Sequence, residues 1–241
     1  MEEKVSGIVL SGVNYGENDK ILNIFTLEKG TMSAKAKGVK KAGAKLKFCA
    51  EPFCFVEYVL SSTSKGNTII GASLIDSFYP IREDLTKYYS ASTVLEFLKR
   101  FEKESMVSSE LFLLTIDTFK NLAYGKEAPL SLVVKFLLSA LKNSGYALSL
   151  DGCFECGNVG FNRIFFDYES GAFLCEDCLD KNSQTTREIN FNTYQALQDA
   201  ERGKELIDEK SAVALRLIDY YLVNKAQEKL NSLKELIKIT A

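Results

Sequence analysis

Hydrophobic residues alternate with polar ones through roughly the first 80 positions and then recur at three- and four-residue intervals through most of the rest. The runs Val5 to Val13, Ile21 to Leu27, Thr31 to Val39, Phe53 to Leu60 and Thr68 to Phe78 predict strands. Glu28-Lys29-Gly30 reads as a turn, and the polar stretch Ser61 to Asn67 reads as a loop. Short strands joined by hairpin signals over so few residues favour a small closed barrel, in which every edge is paired, over an open sheet. A five-stranded OB-type barrel is the leading expectation. An SH3-like barrel is the competitor, because periodicity alone does not separate the two.

After Pro80 the pattern turns helical. Leu85, Tyr88, Tyr89, Leu95, Leu98 and Phe101 share one stripe, and Leu111, Leu114, Phe119 and Leu122 share a second. Pro129 suits a helix start and Gly145 a helix end, with the apolar run Leu130 to Leu141 between them. That run carries Lys135 and is too short to cross a bilayer, so it predicts a buried helix. Helical spacing returns around Tyr194 and Leu197, at Val213 to Leu222, and at Leu230 to Ile237. The expected class is α+β: a barrel over 1–80, then an all-helical domain over 81–152 and 179–241 carrying a small insertion at 153–178.

The insertion holds Cys153, Cys156, Cys175 and Cys178 in the spacing C-x2-C-x18-C-x2-C, inside a chain with no histidine. Paired C-x2-C turns at this separation are the pattern of a tetrahedral zinc site, here one ion per chain. Four thiolates fill all four positions and leave none for a catalytic water, so the metal is expected to be structural. Gly152 and Gly157 bracket the first pair. Arg163 to Tyr168 is β-prone, Glu169-Ser170-Gly171 turns, and Ala172-Phe173-Leu174 leads to the second pair, which makes a zinc ribbon. Cys49 and Cys54 lie among aromatic residues and read as buried core thiols.

Charge adds one feature. The net charge of −2 points to no partner, but residues 29–50 hold seven lysines and no acid. Six of them, Lys35, Lys37, Lys40, Lys41, Lys45 and Lys47, fall in or beside a stretch containing Gly38 and Gly43, where ammonium and backbone groups can both approach phosphates. A solvated loop is the bland explanation of the same run. The start Met1-Glu2-Glu3-Lys4-Val5 lacks the apolar run of a signal peptide and predicts an intracellular protein.

Three stretches resemble a known family. Tyr15-Gly16-Glu17-Asn18-Asp19, Ala36-Lys37-Gly38-Val39-Lys40-Lys41, and Cys153-Phe154-Glu155-Cys156-Gly157 with Gly171-Ala172-Phe173-Leu174-Cys175 are similar to those of the bacterial RecO recombination mediators, as is the order barrel, helices, ribbon. The basic stretch departs from the usual family pattern in carrying lysines where arginines are common, which keeps the attraction for phosphate and loses the bidentate fork.

The resemblance implies a non-catalytic protein of the bacterial cytoplasm and nucleoid. It implies binding to ssDNA and dsDNA without sequence preference, annealing of complementary strands, and cooperation with RecR in placing RecA on DNA coated by single-stranded DNA-binding protein. The acidic, apolar C-terminal tail of that coating protein is expected to dock on the helical domain, with Arg82, Lys99, Arg100 or Lys135 at the edge of its pocket. Two rivals stand beside this. One is an enzyme, for which there is no P-loop and no Gly-rich dinucleotide loop and only Glu17 with Asp19 as an acidic cluster. The other is a structural or protein-interaction module without direct DNA binding.

Overall fold

Five strands close into a barrel at the start of the chain: β1 (Glu2–Tyr15), β2 (Asp19–Thr26), β3 (Gly30–Ala36), β4 (Phe55–Thr63) and β5 (Gly66–Asp76). The computed structural model describes residues 2–64, 66–102, 106–180 and 182–240. The long β1 pairs antiparallel with β2 along its second half and with β4 along its first, and the register shifts between Val9 and Ser11 where it bends. Closure comes from a parallel pairing of β3 with β5, Ala34 to Ala36 against Asn67 to Ile69. The order β1-β2-β3-β5-β4 decides between the two barrels. An SH3-like meander sets β4 beside β3, whereas here β5 takes that place, as in the Greek-key order of an OB barrel.

The barrel interior is filled by Val5, Val9, Leu22, Ile24, Val56, Tyr58, Leu60 and Ile69, with Ala34 and Ala36 where strands approach closely. Cys49 and Cys54 belong to this core, as the sequence predicts, and burial pushes the Cys49 thiol up to about 11. The polar run 61–67 differs from the expected loop. Ser61 pairs with Glu2 and Thr68, Ser62 with Asn67, and Thr63 with Gly66. Backbone pairing is indifferent to side-chain polarity on an exposed face, so serines and threonines continue the ladder.

Two helices, α1 (Leu85–Phe101) and α2 (Ser109–Tyr124), complete the first of two compact units, Met1–Gly125. The strand-to-helix change expected at residue 80 is where the three-residue-per-turn segment Tyr79–Arg82 lies, while the compact unit runs on to Gly125. An aromatic seam explains this. Phe112 of α2 packs on Phe25 and Phe55, and Phe119 packs on Phe53 and Phe78, with centroids 5.5–5.9 Å apart. Phe53 and Phe78 take positive φ, 66° and 43°, and both are buried. Arg82 holds the two turns: its guanidinium donates to Ser77 O at 2.6 Å and to Pro52 O, and lies 5.5 Å from the Phe53 ring.

The second unit, Lys126–Ala241, contains α3 (Pro129–Asn143), α4 (Phe191–Glu201), α5 (Asp208–Asn224) and α6 (Asn231–Ile239). Helix α3 begins at Pro129, where the missing amide costs nothing, and is buried on most of its circumference. A four-stranded sheet accompanies the helices: β6 (Ser149–Cys153), β7 (Ile164–Asp167), β8 (Ala172–Cys175) and β9 (Thr186–Ile189), in the order β6-β8-β7-β9. The sheet is wider than the expected ribbon hairpin, since β6 and β9 flank 153–178. Tyr194 of α4 donates to Leu150 O at 2.8 Å and packs on Phe173, fixing α4 to the sheet. No helix is long and apolar enough to cross a membrane among the described residues.

Candidate metal centre and nucleic-acid interface

The four cysteines converge at one end of the β6-β8-β7-β9 sheet. Cys153 ends β6, Cys175 ends β8, and Cys156 and Cys178 sit one knuckle further along each chain segment. The first knuckle is closed by Cys153 N–H to Asn158 O and Gly157 N–H to Cys153 O, both 2.8 Å. Gly152 takes φ 118°, and a Cβ there would sit 3.0 Å from Asn158 O, so the turn needs glycine. All four Sγ atoms lie within 4.8 Å of one another, and those of Cys156 and Cys175 are 3.8 Å apart. Thiolates bound about 2.3 Å from one zinc ion sit about 3.8 Å from each other, so the cluster fits a tetrahedral ion.

The donor set has the matching chemistry. Burial raises the Cys153 thiol, but amides of Cys175, Cys156 and Glu155 directed at its sulfur outweigh this and hold it at about 6. Cys178 is pushed up by its sulfur contacts with Cys156 and Cys175. Charge on one sulfur opposes ionisation of the next, and a divalent cation between them removes that opposition. Arg163 steadies the outer side of the site, forking onto Glu188 of β9 at 2.9 and 2.5 Å and reaching Glu176 of the second knuckle at 3.2 Å.

The lysine run leaves β3 and crosses to the barrel core through turns at 37–46. Lys37, Lys40, Lys41, Lys45 and Lys47 are exposed and make no ion pair among the described residues. Lys35 differs from them. It lies on β3, pairs with the Asp19 carboxylate at 3.0 Å and sits with Nζ 4.3 Å above the Tyr15 ring. The sequence placed it with the loop lysines because the chain gives no sign of a partner sixteen residues away.

The expected pocket edges separate in the same way. Arg82 is occupied by the carbonyls it holds, and Arg100 pairs with Glu96 at 3.4 Å. Lys135 pairs with Glu127 at 2.5 Å, donates to Gly203 O, and borders a cavity of about 150 Å³ with Leu138, Lys142, Leu148 and Leu150.

Comparison with known proteins places this architecture. The family model described as "Recombination protein O N terminal" matches residues 1–78, and "Recombination protein O C terminal" matches residues 82–234. The chain belongs to the RecO family. A DNA repair protein RecO of Acetivibrio thermocellus is 29% identical over 246 residues, 98% of each chain. One from an Exiguobacterium species is 30% identical over 229 residues, 92% of this chain and 90% of the relative. One from Syntrophomonas wolfei is 31% identical over 171 residues, 71% of this chain and 68% of the relative.

Two of the stretches that carry the RecO resemblance form one physical feature. Asp19 Oδ1 accepts the Gly38 amide at 2.8 Å, and Asn18 O accepts the Lys40 amide at 3.1 Å. The β1–β2 turn therefore anchors the lysine loop. Hydrogen bonding from Gly38, and then Lys35, holds the Asp19 carboxyl below the usual range. The hold of Asp19 and Asn18 on the loop is what sequence reasoning missed; an acid in such a turn reads equally well as turn chemistry.

Proposed function

We propose that this chain is a non-catalytic recombination mediator in DNA repair, acting in the bacterial cytoplasm on the nucleoid. In this reading it binds ssDNA and dsDNA through the phosphates, anneals complementary strands, and works with RecR to load RecA on ssDNA coated by single-stranded DNA-binding protein. The observation that carries it is the set of five exposed lysines, Lys37, Lys40, Lys41, Lys45 and Lys47, on a loop pinned to the β1–β2 turn of an OB barrel. OB barrels engage oligonucleotides through strands 2 and 3 and the adjoining loops, and a basic groove there tracks the backbone without reading sequence. The relatives' shared name, DNA repair protein RecO, supports the same role.

Cys153, Cys156, Cys175 and Cys178 would hold one zinc ion. Such an ion cross-links the two knuckles and has no open position for substrate. The Lys135 cavity is the candidate seat for the coating protein's tail: Leu148 and Leu150 offer an apolar floor and Lys142 a cation, while Glu201 shares the lining and Lys135 is paired with Glu127. Exposed Phe154 and Val159 on the first knuckle favour a second reading, in which the ribbon docks a protein and the barrel does not touch DNA. Titration of labelled single-stranded DNA at several salt concentrations separates the two. The mediator reading predicts sequence-independent binding that weakens steeply with salt, and the docking reading predicts no binding.

A further inference from the structure

Tyr15, Lys35 and Asp19 form a small closed arrangement beside the lysine loop. Among the described aromatic residues of the five strands, Phe25 and Tyr58 are buried and Phe55 is half-buried, whereas Tyr15 is 52% exposed at the end of β1. One face of its ring is covered by Lys35 Nζ at 4.3 Å, and that ammonium is held in place by Asp19 Oδ2 at 3.0 Å. The other carboxylate oxygen of Asp19 is committed to the Gly38 amide. We infer that Tyr15 is the base-stacking platform of the barrel, and that Asp19 keeps Lys35 over it until a DNA phosphate takes the ammonium away. This rests on the DNA-binding reading above and adds to it the residue that meets a base and the group that covers that residue.

The physical argument is a competition. A cation above an aromatic face occupies the space that a base needs. The Asp19–Lys35 pair is an ordinary partly exposed ion pair, weak in water, and a strand carrying many phosphates offers the ammonium a stronger field. When Lys35 swings to a phosphate the ring is freed. Asp19 stays on Gly38, so the loop keeps its anchor during the exchange. Lys35 on a phosphate displaces a cation condensed on the strand, so its transfer adds about 0.7 to the log–log salt slope of binding.

The chain has no tryptophan, so Tyr15→Trp introduces a single indole at the platform. The probes are an oligothymidylate of about ten nucleotides, within the usual span of one OB fold, and an abasic oligodeoxynucleotide of equal length. Both should bind, and only the oligothymidylate should quench the indole. Tyr15→Ala should lose about tenfold in affinity for oligothymidylate and little for the abasic strand. Asp19→Asn, which no longer holds the ammonium by charge, should tighten both probes, and Lys35→Ala should flatten the log–log salt slope by about 0.7. Binding of oligothymidylate with unchanged indole emission, or equal quenching by the abasic strand, would overturn the platform. An unchanged slope in Lys35→Ala, or unchanged affinity in Asp19→Asn, would overturn the exchange of partners. If neither probe binds the unmodified chain, the DNA-binding reading itself fails and takes this one with it.

Discussion

Asp19 accepts the backbone amide of Gly38 at 2.8 Å, so a carboxylate in the first turn of the barrel fixes the path of the basic loop nineteen residues later. The consequence is testable by amide exchange. Asp19→Ala should speed exchange of the Gly38 amide about tenfold, while Asp19→Asn, which keeps an acceptor, should speed it less. The pH dependence has a fixed sign. The folded carboxyl titrates below its ordinary value, so the contact is at full strength above the usual carboxylate range and is lost as pH falls through the depressed value. Protection of Gly38 that is equal in wild type and Asp19→Ala would remove the anchor.

The ribbon should be a folding unit of metal and protein together. Purified chain should carry one zinc ion, and Cys175→Ser should lose it. Structural zinc contributes roughly 10 kcal/mol or more of apparent binding energy in small modules, so this variant should unfold β6 to β9 and reduce solubility. Elemental analysis with circular dichroism checks it. Folded wild-type protein without metal would contradict the assignment.

Arg82 should matter to stability and not to binding. Arg82→Ala strips the guanidinium bonds from Ser77 O and Pro52 O beside two aromatics in left-handed backbone, at a cost of about 2 kcal/mol. Arg82→Lys, with one point donor in place of a fork, should recover only part of it. Denaturant unfolding gives the cost, and the salt slope of DNA binding should not move. A changed slope with unchanged stability would place Arg82 in a binding surface after all.

Much of this arrangement was legible in the chain, for definite reasons. Period-2 and period-3.6 stripes located every barrel strand and every helix to within a few residues, and the cysteine spacing named the four sulfurs that the fold gathers. Pairing order was not legible, because the parallel contact of Ala34 with Asn67 is set by closure of the whole barrel. Strand β9 was missed because Thr186–Ile189 is short and largely exposed and borrows its order from β7. Phe53 reads as the start of a strand, yet it sits at φ 66° under Arg82 and Phe119, a conformation imposed by tertiary packing against propensity. The division of the lysines into one paired residue and five exposed ones depended on Asp19, whose contact with Lys35 leaves no local trace in sequence.

The central claim is that the loop lysines are the phosphate-binding surface, and the most direct measurement is the salt dependence of single-stranded DNA binding by Lys40→Ala/Lys41→Ala beside wild type. Each phosphate contact on a single strand contributes about 0.7 to the log–log slope, so the five exposed lysines together with Lys35 set an upper limit of about 4.2. The double variant should flatten the slope by about 1.4 and weaken all sequences alike, with zinc content unchanged. A double variant that binds DNA with the wild-type slope would contradict the account, for the lysine run would then be a solvated loop and the strand would lie elsewhere.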